Sequence, residues 1–213
     1  MSKLLIINAS ARESTSYSRK LAEALEVEWK LIDNQVDVTH RDLTKNPVPH
    51  IDESWIVGAF KPAEARTEID FKALAVSDEL VSELKDNDAI VIATPMYNWS
   101  VPSVLKAFID QTIRVNETVK IDPTTPENPY KGLLTNKKAF LLLVRGVSGY
   151  EKGQLHEHWN FQTDYLKTVL NIMGITDIEV VIMNNAAAGE QLATEEFNRC
   201  LVEMKKMIAD SVN

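Results

Sequence analysis

Cysteine, glycine and long apolar segments are all scarce in this chain. A single cysteine, Cys200, excludes an internal disulfide framework and a cysteine-rich metal site. Seven glycines and eight prolines among 213 residues are too few for a linker-rich or low-complexity protein. No segment approaches the roughly 20 apolar residues of a membrane-spanning helix, and residues 4–7 are too short for a signal-peptide core. We therefore expect a cytoplasmic protein that does not associate with membranes.

Basic side chains are outnumbered as well. The chain has 23 Lys and Arg against 31 Asp and Glu, a net charge of −8. Nucleic acids and anionic membranes select cationic surfaces, so this balance disfavours both as partners. It does not exclude one phosphate group held by backbone N–H groups in a single loop.

Four short apolar runs predict buried β-strands. They do not alternate with polar residues and most are rich in Ile and Val, which is typical of a parallel sheet covered on both faces. The runs are residues 4–7, 89–93, 139–144 and 178–183. A weaker run, residues 37–42, predicts an edge strand.

Amphipathic segments separate these runs and predict helices. They cover residues 18–31, 67–85, 102–114, 161–173 and 190–212. Ser100 is a candidate N-cap of the third helix, and Gly174 a candidate C′ residue of the fourth. Strands that alternate with helices predict an α/β fold, a flavodoxin-like three-layer α/β/α sandwich with a five-stranded parallel sheet in the order 2-1-3-4-5.

Two polar insertions, residues 44–66 and 115–136, exceed this minimal pattern. Both contain proline and are long enough to form the walls of a cofactor site or a subunit interface. The chain shows no internal repeat and no linker, so we expect residues 1–213 to form a single domain.

The loop after the first strand is rich in hydroxyl groups. Ligands of open parallel sheets bind beyond the carboxyl ends of the strands, and residues 8–18 hold Tyr17 and five hydroxyl side chains directly before a helix. Such a loop suits a phosphate monoester. Neither G-x-G-x-x-G nor G-x-x-x-x-G-K-[ST] is present, which excludes the dinucleotide fingerprint and the Walker loop. The alternative is that Ser16 or Ser18 only caps the helix.

The loops after the third and fourth strands complete the candidate site. Residues 94–102 combine two aromatic rings, a thioether and an amide, which suits a planar heteroaromatic such as an isoalloxazine; the alternative is a hydrophobic loop that covers the sheet edge. In residues 144–150, the glycines permit close approach of a ligand to the backbone. Arg145 either places positive charge near the pyrimidine end of a reduced flavin or is a surface side chain in a turn.

These segments resemble the FMN-dependent NADH-azoreductases, also described as FMN-dependent NADH:quinone oxidoreductases. The resemblance rests on residues 1–18, on the segment 95–99 and on residues 165–177, and it extends to residues 41–49 and 77–80. It covers nearly the whole chain, and the M-Y-N-[FW] motif is more specific than the serine-rich loop.

The resemblance implies a flavodoxin-like homodimer with one FMN per subunit, bound near the dimer interface. It assigns the phosphate and the adjoining ribityl chain to Ser10, Ser16, Tyr17 and Ser18. It assigns the isoalloxazine to Pro95, Met96, Tyr97, Asn98 and Trp99. The fourth-strand loop contributes Val144, Arg145, Gly146 and Val147. The family typically has Ser-Arg-Gly-Gly there, so this chain lacks one hydroxyl and the second glycine.

The implied reaction is ping-pong. A hydride passes from NADH to the flavin N5, NAD⁺ leaves, and a quinone or an azo compound takes the vacated place and is reduced. Because the cofactor carries the chemistry, no side chain is assigned as general acid or nucleophile. Asn98 is the residue expected beside N5, through its backbone N–H.

Two other functions stay open at this level. A flavodoxin-type FMN electron carrier would share the fold and the acidic surface, although a minimal carrier has no use for the two insertions. The other is a non-catalytic nucleotide-binding sensor. Steady-state NADH:quinone turnover without a partner protein separates the enzyme from the carrier.

Several other side chains have simpler interpretations. His156 and His158 are two residues apart and would face apart on a helix, so we expect surface residues and no metal site. Cys200 is expected to be a small core residue. Trp55, Phe60 and Tyr130 lie in the insertions and either shape the acceptor pocket or pack in the core or at an interface.

Overall fold

The computed structural model describes residues 3–212. Its strands are β1 (Lys3–Asn8), β2 (Asp37–Asp42), β3 (Ala89–Pro95), β4 (Val119–Ile121), β5 (Tyr130–Gly132), β6 (Lys138–Val144) and β7 (Asp177–Met183). Its α-helices are α1 (Tyr17–Ile32), α2 (Glu53–Phe60), α3 (Glu68–Asp86), α4 (Ser103–Thr112), α5 (Thr163–Met173) and α6 (Glu190–Val212). No helix within these residues is both long and apolar enough to cross a bilayer.

Five of the strands form one parallel sheet in the order β2-β1-β3-β6-β7. Counted within this sheet alone, the order is 2-1-3-4-5, so the predicted topology is confirmed. The edge strand predicted at residues 37–42 is β2, with the same bounds. In register, Ile6 of β1 lies opposite His40 of β2 on one side and Val91 of β3 on the other.

Helices cover both faces of the sheet. Neighbouring residues of a strand point to opposite faces of the sheet. In β1, the residues that point to either face are apolar. Leu5 and Ile7 belong to the cluster that α3, α4 and α5 bury, whereas Leu4 and Ile6 belong to the cluster under α1 and α6. The result is the predicted three-layer α/β/α sandwich, and its double coverage explains why the strand segments show no polar alternation.

The helix ends follow local chemistry, with one correction. Gly174 ends α5 in the left-handed conformation, with φ 101°, as predicted. The predicted cap at Ser100 is wrong, because α4 begins at Ser103 with Pro102 in the N-cap position. The Ser100 Oγ instead donates a hydrogen bond to the Phe161 carbonyl, 3.3 Å away. Ser100 is thus part of a turn that contacts the segment before α5.

The two insertions have secondary structure of their own. Residues 44–66 contain α2 and a 3₁₀ turn, and Trp55 of α2 is buried against Ala59 and Leu74. This places Trp55 in the core, whereas Phe60 and Tyr130 are exposed. Residues 115–136 contain the antiparallel pair of β4 and β5, which sequence patterns did not reveal because each strand has only three residues.

The apolar residues of the helical pattern over residues 67–85 include Phe71, Leu74, Leu80, Val81 and Leu84, and the structure buries all five except Phe71. The buried face of α3 consists of residues that are mostly three or four positions apart, namely Asp70, Leu74, Ser77, Leu80, Val81 and Leu84. Phe71 follows Asp70 directly, so it projects about 100° away from that face.

Gly132 provides a test of how the second insertion docks. A Cβ at this position would lie 2.1 Å from the backbone nitrogen of Gly174, so Gly132→Ala forces backbone to move at the end of α5. We expect the free energy of unfolding to fall by about 1–3 kcal/mol, measured by urea unfolding. Gly58→Ala in α2 is the control, since its Cβ meets neighbours no closer than 3.4 Å and alanine favours a helix. An unchanged midpoint for Gly132→Ala would contradict this packing.

Candidate functional site

The loops at the carboxyl ends of the strands enclose a cavity of about 180 Å³. Three of the four segments that line it follow β1, β3 and β6, as the sequence predicted. The fourth follows β7. The lining residues are Ser10, Arg12, Thr15, Ser16, Tyr17, Ser18, Pro95, Met96, Tyr97, Val144, Gly146, Ala186 and Ala187.

Three buried serine hydroxyls face this cavity. The Ser10 Oγ accepts a hydrogen bond from the Arg12 backbone N–H at 3.2 Å. The Ser16 Oγ accepts one from the Arg19 N–H at 3.4 Å and lies 3.1 Å from the Ser18 Oγ. Each hydroxyl has one hydrogen to donate. The Ser10 hydroxyl only accepts, so its hydrogen is unused. Ser16 and Ser18 have two hydrogens together, and the bond between them uses one. Two hydroxyl donors are therefore available to an anion.

The N-terminus of α1 lies at the same place. Ser16 is its N-cap, so the capping alternative is confirmed for this residue. Capping uses an oxygen lone pair, whereas anion binding uses a donor, and the two roles are compatible. The first backbone N–H groups of a helix lack intrahelical partners and carry the positive end of its dipole. The donor set therefore fits a phosphate monoester.

Arg19 ties this loop to the end of β2. Its guanidinium donates two hydrogen bonds to the Asp42 carboxylate, at 2.6 and 3.0 Å, and one to the Thr44 hydroxyl at 2.9 Å. It also donates to the carbonyl oxygens of Ser10 and Arg12, at 2.8 and 2.9 Å. One side chain thus holds the backbone of the serine-rich loop in place.

The Asp42 carboxylate is strongly stabilised in its ionised form. Burial raises the pKa of Asp42, but hydrogen bonds from Arg19 and Thr44 outweigh burial and hold this pKa well below its usual range. The same pairing raises the pKa of Arg19. Arg19 and Asp42 are therefore both charged throughout the neutral pH range, and the charge of each is compensated by the other.

The second wall is a tight turn after β3. Tyr97 and Ser100 each donate a backbone hydrogen bond to the other's carbonyl at 3.0 Å. Between them, Asn98 and Trp99 have φ angles of 47° and 65°. Two positive φ angles inside such a pair are typical of a type I′ turn, which Asn tolerates and a bulky Trp disfavours. Strain of this kind concentrates at functional sites.

The tip of this turn lies beyond the cavity lining. Pro95, Met96 and Tyr97 line the cavity, but Asn98 and Trp99 do not. The backbone N–H groups of Asn98 and Trp99 make no hydrogen bond within residues 3–212. They are therefore available as donors at the rim of the cavity.

Aromatic rings extend from this rim. The Trp99 ring contacts Trp159 edge-on, with 6.1 Å between ring centroids, and His156 stacks on Trp159 at 4.8 Å. Phe161 donates its backbone N–H to the Trp99 carbonyl at 3.1 Å, which joins this cluster to the turn. Within the described part of the chain, no group of three or more His, Cys, Asp or Glu has a geometry suited to a metal ion. His156 therefore serves as an aromatic packing partner in this structure.

The fourth-strand loop divides between the cavity and the interior. Val144 and Gly146 line the cavity, whereas Val147 is exposed outside it. The Arg145 side chain is fully buried, so the surface-turn alternative is wrong. It also does not line the cavity. Sequence patterns could not show this, because they do not reveal which of two neighbouring loop residues turns inward.

The buried Arg145 guanidinium is paired. It donates hydrogen bonds to Glu151 at 2.5 Å, to Thr163 at 2.6 Å and to Gln162 at 3.3 Å. Burial lowers the pKa of Arg145, and the Glu151 carboxylate opposes that shift. The residue therefore connects the end of β6 to the start of α5.

Four lining residues were not among those predicted for the site. Arg12 and Thr15 belong to the serine-rich loop but lie outside the positions that the resemblance assigns there, which are Ser10 and residues 16–18. Ala186 and Ala187 follow β7, and their N–H groups bond to the carbonyls of Arg145 and Gly146 at 3.0 Å. The rule that all parallel strands end at one edge would have pointed to this last loop.

Cys200 is not part of the site. It is buried in the core cluster between the sheet and the helices α1 and α6, as predicted. Burial raises the pKa of its thiol to about 11, so it is protonated at neutral pH and unsuited to act as a nucleophile.

Comparison with known proteins agrees with this fold. The flavodoxin-like fold family matches residues 2–208. FMN-dependent NADH:quinone oxidoreductase 2 of Pseudomonas fluorescens is 40% identical over 207 residues, which cover 97% of this chain and 100% of that protein. The chain belongs to the FMN-dependent NADH:quinone oxidoreductase family. The family member from Nostoc punctiforme is 35% identical over 212 residues, covering 100% of this chain and 98% of that protein.

Azoreductases share the same architecture. The crystal structure of an azoreductase from Bacillus anthracis superposes with a TM-score of 0.87 at 28% identity, covering 98% of this chain and 99% of that one. The quinone oxidoreductases and this azoreductase thus match the chain over nearly its full length, both insertions included.

The charge pair that fixes the serine-rich loop can be tested by pH. Asp42→Asn leaves the Arg19 guanidinium without its carboxylate, and we expect a loss of about 1–3 kcal/mol in the free energy of unfolding at pH 7. Because the folded pKa of Asp42 is depressed, its contribution is complete above the unfolded value near 4 and declines as the pH falls below it. The difference between variant and wild type should therefore shrink in acid.

Urea unfolding at pH 7 and at pH 3 provides the measurement. Glu203→Gln is the control, since it removes one partner of an exposed pair with Arg199 and should cost less than about 0.5 kcal/mol. An equal loss of unfolding free energy in both variants at pH 7 would contradict the conclusion that the Arg19–Asp42 pair stabilises the loop more than an exposed pair does.

The turn after β3 offers a test of backbone strain. Asn98→Val places a β-branched residue at φ 47°, and we expect it to lower the free energy of unfolding by about 1–2 kcal/mol. Asn98→Gly should keep or raise stability, because glycine adopts this conformation without steric cost. Thermal unfolding of the two variants provides the measurement. Equal midpoints would show that the turn does not hold a positive φ in solution.

Proposed function

We propose that this protein is an FMN-dependent oxidoreductase that transfers a hydride from NADH to quinones and to the azo bonds of aromatic azo compounds. One observation carries the proposal. A hydroxyl-rich helix N-terminus and the residues Met96 and Tyr97 of the M-Y-N-W turn line one cavity, on a chain whose full-length relatives are named FMN-dependent NADH:quinone oxidoreductases.

The phosphate end of FMN is assigned to the serine-rich loop. Ser10 and the Ser16–Ser18 pair supply two hydroxyl donors, and the first N–H groups of α1 supply the positive end of its dipole. Tyr17 forms part of the cavity wall beside them. Neutral donors suffice to orient a phosphate there, in agreement with a chain of net charge −8.

The isoalloxazine is assigned to the turn after β3 and the loop after β6. Pro95, Met96 and Tyr97 offer an apolar surface, and the free N–H groups of Asn98 and Trp99 offer donors at the rim. Bound FMN would supply the hydride chemistry between NADH and the acceptor, and these residues would supply its position and electrostatic environment. Asn98 is assigned to N5 through its backbone N–H, and no side chain is assigned as acid or base because the cofactor carries the chemistry.

The fourth-strand loop is assigned to the flavin through its backbone. Val144 and Gly146 line the cavity without any side-chain donor, which suits main-chain contacts in place of the family's serine hydroxyl. Arg145 belongs to this segment by motif, but its guanidinium is held by Glu151 and Thr163. Its charge therefore reaches the flavin only over a distance, and Val147 has no side-chain role.

A homodimer completes the proposed site. The cavity of about 180 Å³ is smaller than the roughly 300–1,000 Å³ of pockets that enclose a cofactor-sized ligand. A second copy would cover several exposed aromatic side chains. They are Trp99 and Phe161 at the rim, and Phe60 and Tyr130 in the insertions.

We propose that each subunit is a single domain of residues 1–213 that binds one FMN. We also propose a cytoplasmic location.

The test begins with the purified chain and FMN. We expect FMN to bind and NADH oxidation to depend on it, with a quinone and an azo dye both reduced without a partner protein. Anaerobic reduction with NADH and NADPH in turn measures the preference between them, and light scattering measures the mass. Absence of flavin binding would overturn the proposal, and FMN binding without acceptor turnover would favour the electron carrier.

A single hydroxyl tests the phosphate assignment. Ser10→Ala removes a donor to a charged group, and we expect FMN affinity to fall roughly tenfold, which corresponds to about 1.4 kcal/mol. Flavin fluorescence titration provides the measurement. Ser82→Ala on α3 is the matched control, since this serine is exposed and bonds only to Asp86. Equal affinities for the two variants would contradict the assignment.

A further inference from the structure

Arg12 is the only charged residue among those that line the cavity in the described part of the chain. A phosphate monoester carries about 1.5 to 2 negative charges at neutral pH. Hydroxyl and backbone donors stabilise such an anion without neutralising it, and the net charge of −8 opposes its approach at long range. The cavity therefore has one side chain that can supply a full compensating charge.

The Arg12 guanidinium has no hydrogen bond or ion pair within residues 3–212. Arg19, the other arginine of this region, is different, because Asp42 binds it through both carboxylate oxygens. The charge of Arg19 is thus compensated inside the protein, and that of Arg12 is not.

The backbone of Arg12 is fixed even though its side chain is exposed. Its N–H donates to the Ser10 Oγ at 3.2 Å, and its carbonyl accepts a hydrogen bond from the Arg19 Nε at 2.9 Å. The Cα is therefore held beside the serine hydroxyls, while the guanidinium keeps all five donors for a ligand.

We propose that Arg12 pairs with the terminal phosphate of FMN and makes the site selective for FMN over riboflavin, its counterpart without phosphate. The inference rests on the proposed function. It adds a cation to the neutral donors of Ser10, Ser16 and Ser18, and it gives the two arginines separate roles. Arg19 shapes the loop, and Arg12 binds the anion by charge-assisted hydrogen bonds.

The experiment compares the binding of FMN and riboflavin without any nicotinamide nucleotide. Wild type, Arg12→Gln, Arg12→Lys and the control Lys72→Gln are titrated with each flavin, with flavin fluorescence as the readout. Lys72 is exposed on α3, outside the cavity lining, and its variant removes the same charge. Thermal unfolding of the flavin-free proteins checks that each variant folds.

We expect Arg12→Gln to weaken FMN binding roughly tenfold, the size of one charge-assisted hydrogen bond, and to leave riboflavin binding unchanged. Arg12→Lys should recover part of the loss, and Lys72→Gln should match wild type for both flavins. Added salt should weaken FMN binding more in wild type than in Arg12→Gln, because screening acts on the pair that the variant lacks.

Two results would overturn the inference. One is an equal FMN affinity in Arg12→Gln and wild type, and the other is an equal loss of affinity for FMN and riboflavin in Arg12→Gln. If wild type binds neither flavin, the proposed function itself fails, so the two failures are distinguishable.

Discussion

The parallel pairing of β1 with β2 and β3 is the constraint on which the rest of this structure depends. Parallel strands end at a common edge, so the loops after β1, β3, β6 and β7 must meet there. Both faces of the sheet are covered, and the backbone at that edge is the part left free for a ligand. The cavity thus follows from strand direction, before any side chain in the loops is considered.

Arginine side chains then fix the loops at this edge. Arg19 holds the carbonyls of Ser10 and Arg12 against Asp42, and Arg145 ties the end of β6 to Glu151 and the start of α5. Both are paired with carboxylates inside the protein. The serine-rich loop of this acidic chain is therefore held in shape by a charge pair whose members, Arg19 and Asp42, do not line the cavity.

Backbone strain and burial give neighbouring loop residues different roles, and the sequence does not show which residue takes which role. The turn of Asn98 and Trp99 has two positive φ angles, and neither residue is glycine, so tertiary contacts such as that of Phe161 with Trp99 must hold it. Likewise, Val144 and Gly146 line the cavity, while Arg145 between them is buried elsewhere. Alternation at the end of the strand, and not residue type, decides which of the three residues lines the cavity.

The sequence alone determined the strand order, the two helical layers and three of the four loops that line the cavity. Apolar runs, helix periodicity and cap residues such as Gly174 are local properties, and they fix local structure. Only the tertiary structure decided that Arg145 is buried, that the Arg12 side chain has no partner among residues 3–212, that Ala186 and Ala187 complete the cavity wall and that β4 pairs with β5. Those outcomes depend on contacts between residues far apart in the chain, whose direction and burial no local pattern encodes.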